Sequence, residues 1–399
     1  MTAENFPVVA GQAFHPMMAE PDHDDLSRQL FVQSFMGQVN GPLASGNTAV
    51  WKARTGDSFR RAHGRDPAHV SEVRKALMHE PYTQYWSSLR RCAREMVYEA
   101  VGPMVERQLP DLVEKARRYA TSNKKIGGLA LDSALPQPRY MSEVENHGKP
   151  GGYHNELVAD DVFAGAEFDR SFHVGGQRPN LVDTAGTAAK TRIISNYGPL
   201  ADGLGAALAG WAKENLKDLK PKRILDMGCT VGNSTLPWVD AYPGAEVHAI
   251  DTAAPCLRYA HARAEALGKR TFFAQQNAEA TRYDAGSFDL VLSHQLLHEL
   301  TVTSIHRIFA ECHRLLKPAG VMLHLDIPPA GDMDMVSQWF QLDWNAHYNA
   351  EPFMTTLSEL DLGQVAAKGG FAVKNTFHAY AKSVAPGSSA TFHFFGARK

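Results

Sequence analysis

The chain has 399 residues, 44% of them apolar and 21% charged, with a formal net charge of −2. That length exceeds what one hydrophobic core usually fills, so two regions of a globular protein are expected. The near-neutral balance argues against a broad basic field for a nucleic-acid backbone, and no apolar run approaches the length of a membrane span.

The first residues, MTAENFPVVAGQAFHPMMAEPDHDD, are acidic where a secretory leader would be basic, and they lack a continuous apolar stretch before a small-residue cleavage site. A cytoplasmic location is expected. Cys92, Cys229, Cys256 and Cys312 lie far apart with no CxxC spacing and are expected as reduced thiols. Within 81–119, Tyr85, Leu89, Cys92, Met96 and Val97 recur at three- and four-residue steps and predict a helix. Gly102 and Pro103 are expected to break or kink it, and Pro110 to start another turn. From Ser122 to Lys190 the sequence is rich in Gly, Pro, Asn and His, as in SEVENHGKPGGYHNELVADD, and predicts loops.

Beyond Asn196 the apolar runs RILDM, EVHAID, TFFAQ, FDLVLS and GVMLHLD alternate with the helical segments APCLRYAHARAEAL and TSIHRIFAECHRLL. That alternation is the signature of a parallel sheet with crossover helices. FAVKNTFHAY and ATFHFFGARK, joined by the short SVAPGSS, predict an antiparallel hairpin at the sheet edge. The expected fold is therefore α/β: a doubly wound, mostly parallel, seven-stranded sheet over 196–399, preceded by a mainly helical region with loops over 1–195.

Ligands of such sheets sit outside the carboxyl ends of the strands where strand order reverses, beside the turn after the first strand. Here that turn lies in RILDMGCTVGNST. Its pattern is DxGxxxG, not the GxGxxG of a pyrophosphate site. Asp226 would repel a phosphate but suits an ammonium group, and Gly228 and Gly232 let the backbone pass close to a flat ligand. At the tip of the next strand Asp251 can accept both hydroxyls of a ribose, and at the third strand end Asn277 can meet an adenine edge. An amine, a ribose and an adenine in that order describe S-adenosylmethionine.

Through LDMGCTVGN, Asp251, QNAEA, SFDLVLSHQLLHEL and LLKPAGVMLHLD, residues 196–399 resemble the class I S-adenosylmethionine-dependent methyltransferases. The resemblance implies a Rossmann-like domain with an antiparallel seventh strand. It places Asp226, Gly228 and Gly232 at the methionine end of the cofactor, Asp251 on the ribose, and Asn277 with the Ala278 backbone at the adenine. It extends the expected cofactor contacts to Tyr197, Cys229, Thr230, Asn233, Thr252, Ser293 and His294. Thr230 departs from the family pattern by replacing a glycine, and Asn277 by replacing a frequent aspartate.

Methyl transfer is an in-line displacement at a sulfonium, so alignment and water exclusion matter most, and a base is needed only where the nucleophile must lose a proton. His298 is the first candidate base, with His294 and Glu299 beside it; the alternative is that one histidine caps a helix or touches the cofactor. Trp339, Phe340, Trp344, His347, Tyr348 and Phe353 are read either as a pocket wall or as the core of a lid helix. Tyr153 and His154 follow two glycines on a polar loop that can close over a substrate. No HExxH motif and no acidic cluster after the fourth strand is present, so no metal is expected. The acceptor is expected to be a small molecule, chosen by an N-terminal region that also dimerises. The alternatives are a polyketide-type carbon-methyltransferase and a regulatory protein that binds the cofactor without transfer.

Overall fold

The computed structural model describes residues 8–9, 12–176, 198–384 and 390–399. Its centre is an eight-stranded sheet. In chain order the strands are β1 (Gly128–Ala130), β2 (Arg223–Met227), β3 (Glu246–Asp251), β4 (Thr271–Gln275), β5 (Phe288–His294), β6 (Leu316–Leu325), β7 (Thr376–Lys382) and β8 (Thr391–Arg398). They lie in the order β1-β4-β3-β2-β5-β6-β8-β7, all parallel except β8, which is antiparallel to both β6 and β7. Strand order reverses between β2 and β5, so the carboxyl ends of β2, β3, β4 and β5 share one open edge.

The expected seven strands are joined by an eighth, β1, which comes from the stretch read as loops. It pairs in parallel with β4, from Gly128 opposite Phe272 to Ala130 opposite Ala274. The backbone N–H groups of Ile126 and Gly127 donate to the Glu265 carboxylate and fix its approach.

Residues alternate across β2. Leu225 and Met227 pack with Phe309 and Cys312 of one helix, α6 below. Ile224, with Leu290 and Leu292, packs against Leu208 and Trp238 on the other face. The main helices are α1 (His23–Gln38), α2 (Pro81–Thr121), α3 (Phe163–Ser171), α4 (Gly203–Asn215), α5 (Ala254–Ala266), α6 (Val302–Leu315) and α7 (Phe340–Tyr348). No helix among the described residues is long and apolar enough to cross a membrane.

The helix expected to break or kink at Gly102–Pro103 is not broken there. α2 runs for 41 residues with Pro103 and Pro110 inside it. Proline removes a backbone donor and crowds the preceding turn, but here Val97, Val101, Val105 and Leu112 are buried against Val162, Ala166, Tyr259 and Ala262, which offsets the local cost. Gly102 faces α3, where a side chain would press on Glu167.

α5 joins the two regions. One face packs Leu257, Ala260 and Ala264 on Phe273 of the sheet, while Tyr259 and Ala262 face α2. A buried polar network crosses the same boundary. His15 Nε2 lies 2.8 Å from Asp169 Oδ2, and the Tyr259 hydroxyl donates to that oxygen at 2.8 Å. Arg263 Nε stands 3.5 Å away and Arg263 Nη2 donates to Leu200 O.

Candidate functional site

At the open edge β2 ends in the glycine turn. Gly228, Thr230 and Gly232 have φ of 73°, 47° and 72°, so a β-branched threonine holds a left-handed conformation that glycine adopts at less cost. The N–H groups of Gly228 and Cys229 both donate to Ile250 O, tying the turn to β3. Thr230 N donates to Asp251 Oδ2 at 2.9 Å, and Ala253 N to Asp251 Oδ1 at 2.9 Å. Each carboxylate oxygen is thus anchored by one backbone donor and keeps a lone pair for a ligand. Burial pushes the Asp251 carboxyl above its ordinary value. Asp226 Oδ2 accepts from the Thr235 hydroxyl at 2.6 Å, while Asp226 Oδ1 is buried with no hydrogen-bond partner. The Asn277 side-chain carbonyl accepts from Glu279 N, which orients the amide with its nitrogen free to meet a ligand.

These residues line one end of a cavity of about 420 Å³, together with Cys229, Thr230, Asn233, Thr252, Ala278 and His294. Two expected cofactor contacts, Gly232 and Ser293, are not among the residues lining this cavity. Gly232 lies behind the turn, where a Cβ would meet the Phe273 ring. Ser293 is buried, its hydroxyl 2.7 Å from His324 Nδ1. Tyr197 lies outside the described residues.

The other end of the cavity gathers His147, His298, Glu299 and Glu351, with Arg94, Tyr98, Lys149 and Tyr153 around them. His298 Nδ1 lies 2.6 Å from Asp326 Oδ1, and its Nε2 lies 3.3 Å from Glu299 Oε1. The same Glu299 oxygen is 2.5 Å from His147 Nε2, and His147 Nδ1 is 3.2 Å from Glu351 Oε1. Burial opposes charge on His147, but Glu299 and Glu351 outweigh it and push the imidazole up to about 9. Burial likewise opposes charge on His298, and Asp326 and Glu299 overcome it, holding that ring well above its ordinary value.

His294 and His298 stand four apart but do not form a pair. The chain turns between them at Gln295, φ 55°. His294 instead faces Trp238 Nε1 at 3.5 Å and Asp226 at 3.6 Å, on the cofactor side.

Of the expected acceptor residues, Tyr153 lines the cavity and His154 does not. Trp339, Trp344 and Tyr348 are also absent from its wall. They pack with Val39, Trp51 and Trp86 in a hydrophobic cluster. Trp344 Nε1 donates to Ser87 Oγ at 2.8 Å, with the Arg90 guanidinium 4.4 Å from the ring centroid. His347 turns back on its own helix, Nδ1 2.8 Å from Asp343 O. What the insertion does supply is Glu351 and Met354, just beyond α7. His147 was missed because it stands in an irregular loop; the only hint was the glycine run that follows it.

Residues 224–320 match the family model described as a methyltransferase domain. This segment is a methyltransferase domain. Curated relatives of the chain include a demethylmenaquinone methyltransferase of Thermus thermophilus, 35% identical over 27% of this chain and 49% of that protein. Another is a malonyl-[acyl-carrier protein] O-methyltransferase of Legionella pneumophila, 24% identical over 37% of this chain and 57% of that protein. The chain spans about half the length of the curated relatives it matches. Among solved structures it is similar to one from Nostoc punctiforme named a putative O-methyltransferase, at 17% identity, a TM-score of 0.40, and coverage of 50% of this chain and 57% of that one. The methyltransferase domain contains Asp226, Asp251, Asn277, His298 and Glu299, while His147, Asp326 and Glu351 lie outside the matched segment.

Proposed function

We propose that the chain is an S-adenosylmethionine-dependent methyltransferase acting on a small-molecule acceptor. One observation carries this reading: a single cavity joins the anchored Asp251 carboxylate and the glycine turn to a second, buried polar cluster at its far end. The residues present fit the cofactor. Asp226 Oδ1, buried without a protein donor, suits an ammonium group, and the free lone pairs of Asp251 suit ribose hydroxyls. The Asn277 amide and the Ala278 backbone suit an adenine edge. When bound, S-adenosylmethionine supplies a methyl group on a sulfonium, which departs as a neutral thioether.

The remaining work is positional. Tyr153, Phe168, Phe172 and Met354 wall the acceptor end, exclude water and hold the nucleophile in line. Walls drawn from α2, α3 and the His147 loop support a small acceptor over a macromolecular one. Calorimetric titration with S-adenosylhomocysteine tests the cofactor site. Incubation with methyl-labelled S-adenosylmethionine and a small-metabolite extract, read by mass spectrometry, tests transfer. Absence of binding in the first would end the proposal.

A further inference from the structure

We propose that His147, His298 and Glu299 bind one divalent transition-metal ion of the zinc class at the far end of the cavity. One ligand atom from each lies within 4.8 Å of the other two. An ion with bonds of about 2.0–2.2 Å holds its ligands roughly 3–3.5 Å apart, so small side-chain rotations complete the set. Two imidazoles and one carboxylate form the donor set of zinc sites that keep a position open for water or substrate.

The outward nitrogens of the two rings are an independent observation. His298 Nδ1 rests against Asp326 and His147 Nδ1 against Glu351, at 2.6 and 3.2 Å. Each ring therefore has a carboxylate behind it and turns Nε2 toward the same Glu299 oxygen. A carboxylate on Nδ1 holds the proton there and leaves the Nε2 lone pair for a metal, which is how proteins commonly orient ligating histidines. His298 is prepared in this way by Asp326, while His147 Nδ1 lies near Glu351 without a hydrogen bond to it.

Charge and backbone agree with the assignment. Glu299, Glu351 and Asp326 surround two imidazoles, an excess of negative charge that a dication offsets in part. Arg94, whose Nε donates to His147 O at 3.4 Å, is a further cation beside the cluster. His147 has φ 60°, a strained value for a residue with a side chain, and its N–H is held by Ala350 O at 3.0 Å. That hydrogen bond ties the His147 and Glu351 segments together beside the cluster. Positions left open on the ion face the cavity, where an acceptor hydroxyl or thiol would ligate it and become more acidic; that last role alone rests on the transferase reading.

The test is metal binding, which needs no cofactor. Full-length protein stripped with a chelator is titrated with Zn²⁺ in competition with a chromogenic chelator. We expect one ion per chain in the micromolar range or tighter. His147→Ala should weaken binding by a hundredfold or more, and Glu351→Gln, which removes the charge beside the outward nitrogen, by a smaller factor. Asp251→Ala should keep the stoichiometry and affinity of the wild type even where cofactor binding is lost, so the two readings fail separately. Circular dichroism confirms that each variant is folded. Equal Zn²⁺ affinity in the wild type, His147→Ala and Glu351→Gln would overturn the proposal and leave the cluster as a hydrogen-bonded support.

Discussion

Asp251 and Thr230 are joined across neighbouring strand ends by a 2.9 Å hydrogen bond from the Thr230 N–H to Asp251 Oδ2. The acid that faces the ligand is also the acceptor that shapes the turn, so the two features separated in sequence act as one unit.

Asp251→Ala removes that acceptor and the proposed partner of the ribose together. Affinity for S-adenosylhomocysteine should fall by about 1.5–3 kcal/mol, the range for hydrogen bonds to a charged group. Asp251→Asn, which keeps an oxygen for Thr230, should lose less. Calorimetric titration that finds all three proteins equal would remove Asp251 from the site.

Thr230 pays a conformational cost at φ 47°. Left-handed backbone costs an L-residue about 1–2 kcal/mol, partly offset because glycine has more freedom to lose on folding. Thr230→Gly should therefore raise stability by up to about 1 kcal/mol. Urea denaturation measures this, and a clear loss of stability would mean that the threonine side chain makes a contact worth more than its strain.

Trp344 separates helix core from pocket wall. Its side chain is fully buried among Trp86, Phe340 and neighbours, so Trp344→Ala should cost about 3–5 kcal/mol of stability. At a temperature where the variant remains folded, cofactor affinity should be unchanged. A variant of wild-type stability with weakened acceptor binding would restore the pocket-wall reading.

The folded protein should lose stability in mild acid. Burial pushes His324 down to about 3, with Ser293 Oγ at its Nδ1 and Phe309 stacked on its ring. The unfolded chain takes up that proton near pH 6.5. Between these values the unfolded state binds one more proton, so stability is full above about pH 6.5 and falls as pH drops toward 3, by up to about 1.4 kcal/mol per unit. His324→Gln should flatten the decline measured by urea denaturation from pH 7.5 to 5. Equal slopes would show that other groups govern it.

The main strands were readable because fully buried parallel strands appear as apolar runs, as in RILDM and FDLVLS, with turn residues between them. Asp226, Asp251 and Asn277 were readable for the same reason: strand ends mark the ligand edge. β1 was not, since three residues carry no period and only pairing with β4 makes them a strand. The unbroken α2 was not, because proline rules are local and the packing of Val97, Val101 and Val105 is tertiary. His147 and Glu351 left no pattern at all, being brought together by a backbone hydrogen bond between two irregular segments. The aromatic spacing of α7 correctly indicated a helix but could not say which way its face turned.

The buried network of His15, Asp169, Tyr259 and Arg263 bears on how such a protein could change its chemistry. Asp169 and Arg263 are each about 1% exposed and sit on opposite sides of the boundary near residue 195. Separating them strands a charge in each half, at a cost of roughly 3–5 kcal/mol when one partner of a buried pair is lost. A catalytic half moved onto an unrelated N-terminal region would need from its new host an acid in that place, an edge strand for β4, and a histidine on the facing loop. Exchange of either half alone therefore carries a penalty that substitutions confined to the cavity wall do not.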